Sequence, residues 1–161
     1  MSRNILYLLL FLSIGCSTTG PVAPVASPVQ APARAERSEA LLQALLALGL
    51  DYRYGGNSPA TGFDCSGLVA HVYQQAWGIR LPRNTKAQSE AGVAVSLAEL
   101  QPGDLVFYDT LKRPYSHVGI YLGDGKFVHA PKSGAQVRVE SVKSAYWVQR
   151  YNGARRIEPS I

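Results

Sequence analysis

The sequence predicts an α+β domain in which helices come first and a mainly antiparallel sheet follows. Three observations carry this. Two stretches before residue 80 space their apolar residues by three and four, and runs after residue 100 read as strands. A Gly-Asp-Gly turn at 123–125 joins two of those runs. The 161 residues are 47% hydrophobic and 17% charged, enough apolar material for one core and too little charge for a largely disordered chain. The formal net charge is +5 with no Lys/Arg run, which suits an anionic polymer and argues against nucleic-acid binding.

The first element is a leader. Met1 to Ile14 hold one charge, Arg3, followed by the apolar run Ile5 to Leu12. That run is too short to cross roughly 30 Å of hydrocarbon as a helix and fits a secretory signal. Gly15-Cys16 resembles a bacterial lipoprotein processing site, although Ser13 stands where such signals usually carry leucine. Residues 1–15 are therefore read as a signal peptide and Cys16 as the lipidated residue. Residues 16–36 form a Pro/Ala-rich tether, with four of the ten prolines and no aromatic residue. In an extended conformation it reaches on the order of 60 Å. Ser17 rather than aspartate follows Cys16. By resemblance to Gram-negative lipoprotein sorting, this implies an outer-membrane anchor facing the periplasm.

Residues 37–161 are read as the folded domain. Ser38 is placed to cap a helix whose stripe is Leu41, Leu42, Leu45, Leu46 and Leu48, ending at Gly49. A loop with Tyr52 and Tyr54 follows, and then Gly62-Phe63-Asp64-Cys65-Ser66-Gly67 opens a second helix. Its stripe is Cys65, Leu68, Val69, Val72, Tyr73 and Ala76, up to Trp77-Gly78. Strands are predicted at Leu105 to Tyr108, His117 to Tyr121, Lys126 to Ala130 and Val137 to Val139.

Cys65 at a helix N-terminus would feel dipole and amide groups that favour the thiolate, and Gly62 and Gly67 allow close backbone approach. A cysteine nucleophile needs a base, and the chain has three histidines. His71 falls away from the apolar stripe and reads as a surface residue. His117 and His129 flank the predicted hairpin. A two-residue turn at Asp124-Gly125 would put them on opposite faces, because side chains alternate. A three-residue turn, Leu122-Gly123-Asp124, pairs Tyr121 with Gly125 and sets His117 directly opposite His129. The latter is predicted, since one imidazole can then orient the other.

Four motifs recur in this order in one known family: Tyr52-Arg53-Tyr54-Gly55-Gly56, Asp64-Cys65-Ser66-Gly67-Leu68-Val69, Pro102-Gly103-Asp104-Leu105-Val106 and Ser116-His117-Val118-Gly119-Ile120-Tyr121. With Leu81-Pro82-Arg83, Phe127-Val128-His129-Ala130 and Tyr146-Trp147 through Arg156, the chain resembles the NlpC family of bacterial cell-wall cysteine peptidases. The similarity is greatest to the Spr type of lipoprotein endopeptidases.

The resemblance implies a papain-like fold, the nucleophile helix packed on a sheet that carries the histidines. It implies Cys65 as nucleophile, His117 as general base, His129 as the third polar member and Tyr52 as a hydroxyl near the substrate carbonyl or oxyanion. Asp64 and Ser66 are implied to shape the entry or touch substrate, while Asp104 reads as a turn initiator. Trp147, Arg150, Arg155 and Arg156 read as packing and surface charge. The implied partner is a peptidoglycan stem peptide, with no cofactor or metal and a monomeric chain. The implied bond is the D-Ala–meso-diaminopimelate cross-link, with γ-D-Glu–meso-diaminopimelate as the family's other bond. Two rivals remain: a zinc hydrolase using Cys65, His117 and His129 as ligands, and a wall-binding protein with the fold but no turnover.

Overall fold

The computed structural model describes residues 30–158, with side chains from residue 37 onward. The predicted signal peptide, the predicted lipidation site Cys16 and the predicted tether up to residue 29 lie outside the described residues. Helix α1 spans Gln30–Leu46. The predicted tether therefore ends earlier than residue 36, and Ser38 lies inside the helix rather than capping it. Alanines at 31, 33 and 35 favour helix, and Pro32 falls in the first turn, where its missing N–H breaks no bond.

The face that α1 buries also differs from expectation. Ala40, Ala44 and Ala47 are buried, while Leu42, Leu45, Leu46 and Leu48 are exposed. Small residues let α1 approach its neighbour closely, and the leucine row is left facing outward. The second helix behaves as predicted. Helix α2 spans Cys65–Trp77, and its Leu68, Val69, Val72 and Tyr73 are fully buried. Each large apolar side chain buried there contributes about 1.5–3 kcal/mol. Asp64 caps its start, and Gly78, at φ 68°, closes its end in the left-handed conformation.

Two short strands, β1 (Asn57–Ser58) and β2 (Gly62–Phe63), form a small antiparallel pair before α2. Helix α3 (Thr85–Gln88) and strand β3 (Val93–Val95) follow, then a 3₁₀ turn at Leu97–Glu99. The main sheet adds β4 (Leu105–Tyr108), β5 (His117–Gly123), β6 (Lys126–His129) and β7 (Arg138–Ser141). Helix α4 (Ala145–Val148) and strand β8 (Tyr151–Arg156) complete it. The six strands run in the order β3-β8-β4-β5-β6-β7, and every pairing is antiparallel. Helix α2 covers one face through Val118, Ile120, Leu105, Phe107 and Val128. Val106, Tyr108, Phe127, Trp147 and Ala154 form a second cluster, as the alternation of side chains along these strands requires.

The β5–β6 hairpin departs from the predicted turn. Gly123 pairs with Lys126, so the turn is two residues, Asp124 and Gly125, at φ 50° and 71°. Positive φ at both positions is the type I′ geometry that matches strand twist. Tyr121 pairs with Phe127, and the register shifts between Tyr121 and Gly123, leaving Leu122 as an extra residue. That irregularity restores the parity a plain two-residue turn would lose. His117 thus lies diagonally across from His129 instead of directly opposite, and both still project to one face.

Candidate active site

Helix α2 delivers Cys65 at its first residue. The Asp64 side chain fixes that end: one carboxylate oxygen accepts from the Gly67 amide at 2.6 Å and from Ser66 Oγ at 3.0 Å. Its other oxygen accepts from the Gly55 amide at 2.9 Å and lies 3.6 Å from the Arg83 guanidinium. Ser66 Oγ is buried and also lies 3.1 Å from the Arg83 carbonyl oxygen, a second acceptor for the same proton. The structure thus uses Asp64 and Ser66 to clamp the nucleophile turn to the Arg53–Gly56 and Arg83 segments. Gln88, which the sequence reading missed, is fully buried and donates to the Ser66 carbonyl at 3.0 Å and the Pro82 carbonyl at 2.8 Å.

The Cys65 sulfur lies against backbone amides of Val118, Ser66 and Cys65 itself, which favour the thiolate. Burial outweighs them, and the Asp64 carboxylate adds to burial, so the thiol is pushed up to about 11. The helix N-terminus alone predicts the opposite direction; desolvation and a neighbouring anion reverse it. The Val118 amide places the sulfur beside the first residues of β5, next to His117.

His117 and His129 are buried, and His117 Nε2 lies 2.7 Å from His129 Nδ1 with the rings at 90°. Burial lowers both imidazoles, His117 to about 3, where the neighbouring His129 also contributes, and His129 to about 4. The resting pair is therefore neutral and shares one proton between its facing nitrogens. Trp147 stacks on His117 at 5.5 Å between ring centroids and meets His129 edge-on at 5.1 Å. It is packing, as predicted, and the packing is against the histidines themselves.

Tyr52 is held between two segments. Its amide donates to the Ala135 carbonyl at 2.8 Å, and it bridges Phe63 beside α2. Burial raises its hydroxyl, and so does the nearby Cys65 thiol. Tyr52 and Cys65 are thus neighbours, and the Val118 amide holds the Cys65 sulfur one residue along the chain from His117. His71 stands apart on α2, half-buried, with its ring 5.0 Å from Phe63.

Beside His117 opens a cleft of about 390 Å³ lined by Thr110, Leu111, Lys132, Arg138, Glu140 and Trp147, among others. Its rim on the Asp109–Ser116 loop is held by Ser116 Oγ, which accepts from the Thr110 and Leu111 amides at 2.9 and 3.1 Å. Glu140 is a second residue the sequence reading missed. Its Oε1 accepts from Arg138 Nε at 2.6 Å and lies 3.4 Å from His129 Nε2, and its Oε2 accepts from the Trp147 indole N–H.

Among the described residues no three His, Cys, Asp or Glu side chains are grouped to hold a metal. The two imidazoles face each other through His117 Nε2 and His129 Nδ1, which takes those two nitrogens out of any shared ligand set. Asp104 is also more than a turn initiator: fully buried, it accepts from Arg156 Nε and Nη2 at 2.8 and 2.7 Å.

The chain is 43% identical over 113 residues to murein DD-endopeptidase MepH of Escherichia coli, covering 68% of this chain and 42% of that one. It is 42% identical over 112 residues to gamma-DL-glutamyl hydrolase of Bacillus subtilis, covering 69% and 27%. To the Escherichia coli murein DD-endopeptidase MepS/murein LD-carboxypeptidase it is 43% identical over 109 residues, covering 68% and 56%. The matched region is thus a quarter to somewhat over half of these relatives' length. The crystal structure of a Bacillus cereus NlpC/P60 family protein superposes with a TM-score of 0.71 at 36% identity, covering 76% of this chain and 40% of that one. The α+β architecture is thus the papain-like one expected. The NlpC/P60 family profile matches residues 49–156, two thirds of the sequence and all of the site just described, and the chain belongs to the NlpC/P60 family.

Proposed function

We propose that this chain is a peptidoglycan endopeptidase that hydrolyses the D-Ala–meso-diaminopimelate cross-link by a Cys65–His117–His129 thiol mechanism. One observation carries the chemistry: the buried His117–His129 pair at 2.7 Å, with the amide of Val118, the residue after His117, against the Cys65 sulfur. The family's relatives named murein endopeptidases support the substrate class.

In this mechanism neutral His117 takes the Cys65 proton as the sulfur attacks the amide carbonyl. Starting from a neutral thiol and imidazole, that transfer is coupled to attack rather than completed beforehand. The Cys65 amide and the Tyr52 hydroxyl stabilise the oxyanion, and losing one such donor costs about 3 kcal/mol. Protonated His117 then gives its proton to the leaving amine, a contribution of roughly 10²–10⁴-fold. Water activated by the same imidazole hydrolyses the thioester. Asp64 and Ser66 serve by holding the nucleophile turn. A lipid on Cys16 would hold the protein at the outer membrane, facing the periplasm, as a monomer on the wall.

The test incubates the purified chain and its Cys65→Ala variant with cross-linked and uncross-linked muropeptides, and identifies products by mass spectrometry. Cross-linked dimers should fall to monomers only with Cys65 present. Shortening of uncross-linked stems between glutamate and diaminopimelate would keep the thiol chemistry and move the bond, a reading favoured by the likeness to the Bacillus subtilis hydrolase. Binding of either substrate by the folded chain without cleavage would overturn the enzyme reading.

A further inference from the structure

We infer that Glu140 is a positioning residue that sets which nitrogen of His129, and through it of His117, carries the proton. This rests on the Cys65–His117–His129 reading and adds a fourth group to it.

The geometry is a line of four side chains. His129 is fully buried and uses Nδ1 on His117. Its Nε2 has no hydrogen-bond partner and lies 3.4 Å from Glu140 Oε1, an ion-pair contact somewhat too long for a good hydrogen bond. Glu140 cannot swing freely, because the Trp147 indole N–H donates to its Oε2 and Arg138 Nε donates to Oε1 at 2.6 Å. Burial by itself would raise the Glu140 carboxyl, but the Trp147 and Arg138 hydrogen bonds bring it below its ordinary value, so it is a carboxylate at neutral pH.

A neutral imidazole donates from one nitrogen and accepts at the other. A carboxylate facing His129 Nε2 is satisfied only if the proton is on that nitrogen. His129 Nδ1 must then accept, so His117 Nε2 donates, and His117 Nδ1 is left as a bare lone pair. That is the form able to take a proton from Cys65. The opposite arrangement protonates His117 at Nδ1 and cannot act as a base. When the thiol proton moves to His117 Nδ1, the Nε2 proton stays shared with His129, and no proton passes to Glu140. The new imidazolium then forms with the Glu140 carboxylate on the far side of His129, and Arg138, which pairs with that carboxylate, tempers its pull.

The test uses the full chain labelled with ¹⁵N-histidine, as wild type, Glu140→Ala and Glu140→Gln. Long-range ¹H–¹⁵N correlation at pH 7.5 reads the tautomer of each ring, and Cys65 alkylation and muropeptide cleavage read the base. The wild type should carry Nε2–H on both rings. Glu140→Ala should mix the tautomers and slow alkylation and kcat/KM by about 10- to 100-fold, part of what general-base catalysis contributes, with KM nearly unchanged. Glu140→Gln, which keeps an acceptor, should recover part of the loss. A wild-type His129 protonated at Nδ1 would overturn the inference, and this decides it even if a variant fails to fold. Tautomers and alkylation unchanged in Glu140→Ala would overturn it as well. Absence of muropeptide cleavage by the wild type would count against the murein reading, leaving the tautomer and alkylation results to decide the role of Glu140.

Discussion

Replacing Gly67 by alanine sets two physical effects against each other at the nucleophile turn. Gly67 is the third residue of α2, where Gly→Ala at an open site gains about 1 kcal/mol of helix propensity. A Cβ built here, however, would lie 2.0 Å from the Gly56 carbonyl oxygen and 2.7 Å from an Arg83 guanidinium nitrogen. The guanidinium can move; the carbonyl cannot, because Gly56 accepts from the Asp64 amide at 3.1 Å and its own amide is tied to the Arg53 carbonyl at 2.9 Å. Relief to ordinary contact needs a displacement of more than 1 Å between α2 and the Arg53–Gly56 segment. Overpacking of this kind costs about 1–3 kcal/mol, and a backbone obstacle places it at the upper end. The net expectation is a loss of about 2 kcal/mol. At an m-value near 2 kcal/mol/M the urea midpoint should fall by about 1 M. The same displacement moves Cys65 relative to Tyr52, and misplacement by about 1 Å costs roughly 100-fold in rate. Equilibrium unfolding and kcat/KM measured on one preparation test both. An alanine variant as stable as the wild type would refute the claim that the absent Cβ seats this helix.

The buried neutral histidines predict a pH dependence of stability. Both folded values lie below the ordinary 6.5, so the unfolded chain takes up protons first as pH falls. Stability held at pH 7 should decline below about 6.5 and level off near 3, and denaturant titrations at pH 7 and 5 should differ by at least about 1 kcal/mol; a flat profile would refute it. Arg156→Ala leaves the Asp104 carboxylate buried without its bidentate partner and should cost about 3–5 kcal/mol, read by thermal and urea unfolding. A loss under 1 kcal/mol would show that Asp104 finds other partners. Tyr52→Phe should keep the fold while lowering kcat by about 10²-fold, as loss of one oxyanion donor does, checked by circular dichroism beside muropeptide kinetics.

The parts of this fold legible in the sequence are those whose signal is local. Along α2, Leu68, Val69, Val72 and Tyr73 recur by one, three and one positions as a single buried stripe between the Asp64 cap and Gly78, so the helix and its bounds are legible in the residues. The same spacing misled at α1, because periodicity names two candidate faces and only packing selects one. The alanine row won there since it allows α1 to approach α2 closely, and the leucine row remained outside. Strands β3 and β8 were missed because Val93–Val95 is short and Tyr151–Arg156 carries two arginines although it pairs on both sides, with β3 and β4. Arg155 and Arg156 are accommodated there by the Ser89 carbonyl and the Asp104 carboxylate, partners distant in sequence.

Register explains why the histidines were readable and Glu140 was not. His117 and His129 are joined by a short hairpin, so only the parity of one turn had to be judged, and either the three-residue turn or a bulged two-residue turn puts them on one face. Glu140 reaches the same face by a longer route. The chain leaves β6 at His129, crosses Ala130 to Val137, and returns with His129 opposite Arg138 and Phe127 opposite Glu140. A slip of one residue in that pairing would turn Glu140 to the other side of the sheet and bring Val139 toward His129 instead. Nothing in the connecting sequence sets this count. Long-range contacts do bear on it: the Val137 amide donates to the Leu50 carbonyl at 2.8 Å and the Gly49 amide donates to the Val137 carbonyl at 3.0 Å, in the segment after α1. The segment that follows α1 is thus tied to the residue just before β7, so the strand that carries Glu140 is anchored by chain far away in the sequence.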